Sequence, residues 1–517
     1  MVAIKKLSSL SCAIAVALGT QVVSAQEADI SRAEIEAIIQ RLNALEAENA
    51  ELRAAISEDK AMEVEPKAKT YTNSVVGGSA ANTLVDVSPE YSYNMLNHTA
   101  RTNSKQQYQL QAQRSGMLDS TLTIGGQVTA LADYQTANED SKFGWLMRHP
   151  TSANQIGKNA SEAVIHSAKI SLTARVTDDI SSYVELFYNP EQNFASGSTI
   201  TGLPRNNVNV RRAYVLWGNL DKTPLYASIG KMDIPFGWND TVSPFTNSTN
   251  WHSFAGLAYG GLVGYSTDTL HLRAMAIQGG AQFRNANTPV GDTNVPSKLN
   301  NFAVDANYTA ALDNNATLNI GASYQYGTAY CQEYVDTPAT AHSTPFVIPG
   351  VTVNTAPQGV VHFNPCQDNN DAAAVYAIYK NDRLMLTAEY AQTLEAWPGT
   401  HNPYIPQFDA AKNKTFTVGG KYAADFGLTN NVDLSVEFSR YKAGAAGSPW
   451  EKQDQLVFGS SYFLTPSVNL FSEAIFVKGW VPLNFLSGGN PGSAVGTSWS
   501  SQSSKNQILA VGIKAGI

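Results

Sequence analysis

The sequence predicts an all-β membrane protein: a sixteen-stranded antiparallel transmembrane β-barrel preceded by an α-helical coiled coil. Three observations support that expectation. Hydrophobicity has a period of two from about residue 119 onward, the links between alternating segments are by turns short and long, and a seven-residue apolar repeat lies near the N-terminus. Composition agrees. Charged residues make up only 15% of the 517, Gly (38) and Tyr (23) are plentiful, and the mean hydropathy of −0.20 is too polar for a helical membrane protein. A barrel that meets lipid outside and water inside needs such a mixture.

The first 25 residues read as a signal peptide. Lys5 and Lys6 form a basic start, an apolar stretch runs from Leu10 to Val23, and Val23-Ser24-Ala25 offers a small-residue cleavage site before Gln26. The exported chain keeps two cysteines, Cys331 and Cys366, expected to form one disulfide within a single loop under oxidising conditions. Neither belongs to a CxxC or a Cys/His cluster, so no metal and no cofactor are expected.

Residues 26–60 are expected to form a periplasmic coiled coil. Ala28, Ile35, Leu42, Asn49 and Ile56 fall at a positions, and Ser31, Ile38, Leu45 and Leu52 at d. A 3.5-residue apolar period makes a stripe that one helix cannot bury, so copies should associate. Ile at both a and d in one heptad leans toward three or more strands, and Asn49 would fix register. Thirty helical residues would span about 45 Å. Residues 61–118 are rich in Ser, Asn, Gln and Thr with weak periodicity; they read as a polar linker, with room for part of it to order inside or beneath the barrel.

The barrel occupies 119–517. Val432 to Ser439 alternates without a fault, as do Phe302 to Thr309, Leu318 to Gln325 and Thr415 to Tyr422. Successive strand side chains point to opposite faces, so each segment has one apolar and one polar side. Sixteen such segments start near 120, 163, 180, 206, 225, 256, 269, 301, 317, 372, 384, 415, 432, 454, 468 and 505. Thr177-Asp178-Asp179, Ser266-Thr267-Asp268, Lys380-Asn381-Asp382 and Thr465-Pro466-Ser467 are tight turns; the intervening links, 328–370 above all, are long. A soluble sandwich has no reason for this rhythm, whereas an outer-membrane barrel keeps its turns in the periplasm and its loops outside. Leu509, Val511, Ile513, Ala515 and Ile517 continue the alternation to the last residue, although terminal strands of this kind usually end in Phe. Tyr134, Tyr188, Tyr308, Tyr326, Tyr422, Phe426 and Tyr462 lie near strand ends, where rings favour the headgroup level.

Sixteen strands enclose more space than side chains fill, so an aqueous lumen is expected. Its polar face nominates the basic residues Lys169, Arg175, Arg273, Lys421 and Lys514. Arg211 and Arg212 join them without a choice between the two, because alternation breaks there. The acids are Glu185, Asp305, Glu389, Asp433 and Glu437. Basic groups gather on neighbouring strands and acids on the opposite wall, an arrangement expected to set a transverse field.

The connection after the fifth strand is the most motif-like part. Gly230-Lys231-Met232-Asp233-Ile234-Pro235-Phe236-Gly237 follows a strand containing Arg211-Arg212-Ala213-Tyr214. This combination resembles the bacterial porin superfamily. The resemblance implies that residues 233–255 are a third loop that folds into the barrel, with Lys231, Asp233, Trp238, Asp240, Trp251 and His252 as constriction candidates. The order of leader, coiled coil, linker and barrel is most similar to the legiobactin-receptor-like siderophore porins. That similarity implies iron–siderophore uptake without inner-membrane energy.

The expected function is passive diffusion of small hydrophilic solutes through a homotrimeric outer-membrane channel, with membrane lipid and solute, or an iron–siderophore complex, as partners. Phosphate-selective porins also carry a coiled coil, but the few lumen arginines argue against their dense ladder. An energised receptor would need about 22 strands and a folded plug, and the stretch before the first strand is too short and polar for a full one. The eight histidines are scattered without nucleophile motifs, so no enzyme is expected, and an acidic exported chain is a poor nucleic-acid binder. A tether to the cell wall through the coiled coil is the structural alternative.

Overall fold

The computed structural model describes residues 84–147, 157–189, 207–278, 299–328, 330, 333–334, 363–364, 369–402, 405–480, 498 and 500–517. The leader, the coiled coil, Cys331 and Cys366 lie outside the described residues.

The chain order is a short strand β1 (Val85–Val87), helices α1 (Pro89–Leu96) and α2 (Lys105–Arg114), then long strands β2 (Leu122–Ala137), β3 (Asn159–Arg175), β4 (Ile180–Asn189), β5 (Asn207–Gly218) and β6 (Leu225–Asp233). After helix α3 (Thr249–Phe254) come β7 (Leu257–Ser266), β8 (Leu270–Gln278), β9 (Leu299–Ala311) and β10 (Thr317–Tyr326). A two-residue ladder, β11 (Glu333–Tyr334) with β12 (Phe363–Asn364), forms within the longest loop and was not visible as alternation. The ring is completed by β13 (Ala372–Lys380), β14 (Leu384–Thr393), β15 (Lys414–Ala424), β16 (Val432–Lys442), β17 (Lys452–Thr465), β18 (Val468–Trp480) and β19 (Ser501–Gly516).

Each long strand pairs antiparallel with the next, β10 with β13, and β19 closes on β2. The ring therefore has sixteen members and leaves no row of unpaired backbone groups, the condition for β-structure in an apolar medium. Strands β4, β6, β10, β13, β14, β16 and β18 begin where the alternation begins; β3 and β19 start four residues earlier. Those extra residues, Asn-Ala-Ser-Glu at 159–162 and Ser-Gln-Ser-Ser at 501–504, carry no large apolar side chain on either face, so their ladder left no period-two signal. Turns of 176–179, 267–269, 381–383 and 466–467 mark one end of the ring, and the long connections mark the other.

The outward face is apolar and uncovered: Ile229 is 68% exposed and Val263 61%, with Val436, Phe458, Leu509 and Val511 also exposed. Outward Tyr308, Tyr422 and Phe426 sit toward the turn end, and Tyr134, Tyr259 and Phe302 toward the loop end. The inward face is the reverse, with Gln127, Thr129, Glu185, Arg212, Glu437 and Lys514 all buried. They are buried because the lumen is filled from both ends.

From the turn end, residues 84–118 enter the ring. β1 pairs parallel with Leu122–Ile124 of β2, at the stretch of β2 below the point where β19 ends. Pro89 at the first helical position and Glu90 beside the exposed N–H groups start α1. After α2 the chain turns at Gly116, where a φ of +75° suits a residue without a Cβ. Tyr91, Tyr93, Met95, Leu96, Tyr108 and Leu110 are buried. This segment is thus no free linker. Its polar composition fits a wet lumen, where Gln and Asn side chains find wall partners that a hydrocarbon core would not offer.

From the loop end, the connection 138–147 also dips inward. Trp145 and Phe245 join Phe471, Ile475, Val477 and Ile508 in an apolar cluster inside the ring.

Candidate functional site

The connection between β6 and β7, residues 234–256, crosses the interior. It leaves β6 through Pro235 and through Gly237, whose φ is +67° and whose missing Cβ would lie 2.4 Å from Glu389 Oε1. Three wall carboxylates then hold it. Glu389 on β14 accepts from the Trp238 and Asn239 N–H groups at 2.7 and 3.0 Å. Glu437 on β16 accepts from Val242 N–H at 3.0 Å and from Thr241 Oγ1 at 2.7 Å. Glu473 on β18 accepts from Phe245 and Thr246 N–H at 2.8 and 2.9 Å.

The spacing follows from geometry. Alternate strands stand about 10 Å apart, and three extended residues reach about 10 Å. A chain crossing the wall perpendicular to the strands therefore offers a fresh pair of donors to every second strand, two N–H groups each to Glu389 and Glu473 and one N–H with a hydroxyl to Glu437. The strands in between carry glycine where the loop passes: a Cβ at Gly419 would lie 2.6 Å from Val242, and one at Gly459 2.5 Å from Pro244. Helix α3 ends the crossing, with Thr249 N–H on Ser439 Oγ at 3.0 Å and Asn250 Oδ1 accepting from Thr415 Oγ1 at 2.5 Å.

On the facing wall, Arg212 bridges two acids. Its Nη1 lies 2.6 Å from Glu185 on β4, and its Nε and Nη2 lie 2.6 and 2.7 Å from the two oxygens of Asp233 on β6. The register of β4 against β5 slips at Glu185, leaving Arg211 as an extra residue. That bulge brings Arg211 within 3.7 Å of the same Glu185, so both arginines address one carboxylate. This explains why alternation could not choose between them. Arg273 on β8 and Asp305 on β9 are register partners and pair at 2.6 Å, with Ser323 and Tyr376 hydroxyls completing the carboxylate.

The helical hairpin packs between these walls and meets the crossing loop. Asp240 accepts from the Arg101 and Thr102 N–H groups at 2.7 and 2.8 Å. Three lysines converge on the C-terminal end of α1, where unpaired carbonyls concentrate negative charge. Lys105 reaches Asn94, Asn97 and Ala100 carbonyls at 2.9, 3.0 and 3.2 Å. Lys169 on β3 reaches Leu96 O at 2.6 Å, and Lys514 on β19 reaches Asn97 Oδ1 at 3.0 Å and Pro244 O at 2.6 Å. Arg273 adds a short bond to Asn103 O. Gln109 donates to Ser181 at 2.9 Å and accepts from Tyr214, and Tyr91 meets Thr173 at 3.0 Å.

The sequence-nominated residues thus fall into three groups. Lys169, Lys514, Arg211, Arg212, Arg273, Glu185 and Asp305 form the wall that holds the hairpin. Glu389 and Glu437 hold the crossing loop, in which Trp238, Asp240, Trp251 and His252 reside. Lys231 is buried at the base of the loop and donates to Val210 O at 3.3 Å. Two pairs stand apart. Lys421 and Asp433 form a part-exposed pair at 3.4 Å on β15 and β16, and Arg175 pairs with Asp178 at a turn, 2.7 Å away. Opposed charges therefore do not face each other freely across a bore; most bind a folded segment between them. Glu473 escaped sequence reading because its inward neighbours Phe471, Ile475 and Val477 are apolar and mask the face. Lys105 escaped because its partners are main-chain carbonyls that only the folded end of α1 brings together, and Tyr91 because its partner Thr173 is 82 residues away.

A closed ring of sixteen antiparallel strands, apolar outside and crossed within by an anchored loop, defines the class: a closed antiparallel β-barrel with an internally folded loop. No protein-family model matches the chain, and no curated protein matches it. Solved structures of similar shape include the anion-selective porin from Comamonas acidovorans, at 11% identity and TM-score 0.43 over 77% of this chain and 99% of that one. The outer membrane channel DcaP of Acinetobacter baumannii shares 15% identity at TM-score 0.44 over 77% and 97%. Pseudomonas putida OprB shares 10% at TM-score 0.47 over 78% and 96%.

Proposed function

We propose that this chain is a trimeric porin of a Gram-negative outer membrane that lets small hydrophilic solutes diffuse passively into the periplasm. One observation carries the reading: the ring is apolar on the face turned outward and polar on the face turned inward, with a loop anchored across its interior. An apolar exterior without a covering layer is costly in water and favourable in lipid. The charged interior has no use in a packed soluble core. Turns at one rim and long loops at the other fit a periplasmic and an extracellular end.

Iron–siderophore complexes are the finer substrate reading, supported by the order of leader, coiled coil and barrel in the sequence. Both are tested by reconstituting the full chain in planar bilayers. Stepwise currents that added iron–siderophore blocks reversibly support the finer reading; steps that ignore it leave general diffusion. A folded, membrane-inserted chain that gives no steps under any condition contradicts the porin reading.

A further inference from the structure

We propose that residues 84–118 are a removable gate seated on a cationic trough, and that their withdrawal opens a passage for small anionic solutes bearing carboxylate or phosphate groups. The inference rests on the porin reading and deepens it.

The segment is built to leave as a unit. It enters and returns at the same rim, since Val85 pairs with Leu122, so no threading is needed. Its two helices have eight and ten residues, too short to persist alone in water. Beyond the three-residue ladder of β1 and one backbone bond from Thr241 N–H of the crossing loop to Thr99 O, it is held by bonds and contacts that involve side chains. Gly116 in the return link supplies a pivot.

What the segment covers sets the ligand class. Glu185, Asp233 and Asp305 on the covered wall are each bound to an arginine. Glu473 is occupied by loop N–H groups, and Asp240 of the crossing loop, which accepts from the Arg101 and Thr102 N–H groups of the gate, is the one described carboxylate that withdrawal uncovers against Lys169, Lys514 and the arginines. Lys169 and Lys514 form no ion pair with a described carboxylate; their partners are oxygens of the gate and of Pro244. Withdrawal removes Leu96 O and Asn97 Oδ1 and leaves two buried ammonium groups facing the vacated space. A carboxylate or phosphate supplies the same acceptor oxygens with a compensating charge. The crossing loop stays in place, because Glu389, Glu437 and Glu473 hold it from β14, β16 and β18.

The resting state is closed. Tyr91, Tyr93, Met95, Leu96, Tyr108 and Leu110 are all buried, and their apolar surface holds the gate in place. Opening therefore requires pull or a mild denaturant, which frees the short helices before the continuous ladder of the barrel.

The test uses full-length protein with Cys331 and Cys366 replaced by serine and a new pair, Gln109→Cys with Ser181→Cys, joined through a bis-methanethiosulfonate that spans the length of the lost glutamine and is released by reduction. Tyr91→Cys with Thr173→Cys, joined by a longer reagent of the same kind, is a second, independent pair. Currents are recorded in planar bilayers across a potassium chloride gradient, in urea that leaves the barrel folded by gel mobility. Reduced protein should show reversible large steps with an anion-selective reversal potential, and cross-linked protein none. Lys169→Gln with Lys514→Gln should move that potential toward the cation side, while Lys169→Arg with Lys514→Arg should not. Equal steps before and after reduction overturn the gate and leave the porin reading standing. A cation-selective open state, or a potential unmoved by the glutamines, overturns the anion assignment. Absence of steps from every folded form overturns the porin reading itself.

Discussion

Arg212 shows how much one side chain does here. It is buried with two carboxylates on neighbouring strands, and both lose their shortest ion pair if it is removed. Leaving buried charges uncompensated costs about 3–5 kcal/mol, so Arg212→Leu should sharply lower the temperature at which the folded gel form converts to the unfolded one. Arg175→Ala, at an exposed turn pair, should shift it little, since such pairs contribute under about 1 kcal/mol. Equal shifts would mean that the internal network is not structural. Glu437 offers a graded version. Glu437→Leu strands the Val242 N–H and the Thr241 hydroxyl, costing about 1–3 kcal/mol for each buried group. Glu437→Gln keeps one acceptor oxygen. Protease cleavage within 234–256 should rise for leucine more than for glutamine; cleavage rates that do not differ would contradict the anchoring role.

At the scale of elements, the crossing loop depends on missing side chains as much as on present ones. Gly419→Val puts methyl groups where Val242 already sits, so the loop must shift or the strand must bend. The expected result is an altered single-channel current once the gate is released, with the barrel still folded; an unchanged current would show that the loop does not shape the passage. The same element shows where sequence reading stops. Strand starts such as Val432 and Val468 were legible because the period of two is local and one face of it is apolar. The inward path of residues 233–255 was legible from its resemblance and from Pro235 and Gly237. The partners of that loop were not, because Glu389, Glu437 and Glu473 lie roughly 150 to 230 residues away. The hairpin of α1 and α2 was hidden for a different reason. Its seat is a polar cavity, so its helices bury Gln109 and Lys105 alongside Tyr91 and Leu110 and show no clean amphipathic stripe.

At the scale of the whole molecule, the fold separates two tasks. The ring satisfies its own backbone and presents apolar side chains outward, while inward charges are spent on holding folded segments. The coiled coil expected from the sequence at 26–60 lies outside the described residues, and as a proposal it would serve as a separate handle. Deleting it should leave bilayer currents unchanged while any attachment of the envelope to the cell wall is lost; unchanged attachment would remove the tether reading. The most direct measurement is a spin-label scan along β16, residues 433 to 438, in lipid vesicles, with Cys331 and Cys366 replaced by serine. Labels at Leu434, Val436 and Phe438 should respond to a lipid-soluble relaxant, and labels at Asp433, Ser435 and Glu437 should not. Uniform response along the strand, or access of a water-soluble relaxant to Leu434 and Val436, would contradict a barrel that meets lipid with its outward face.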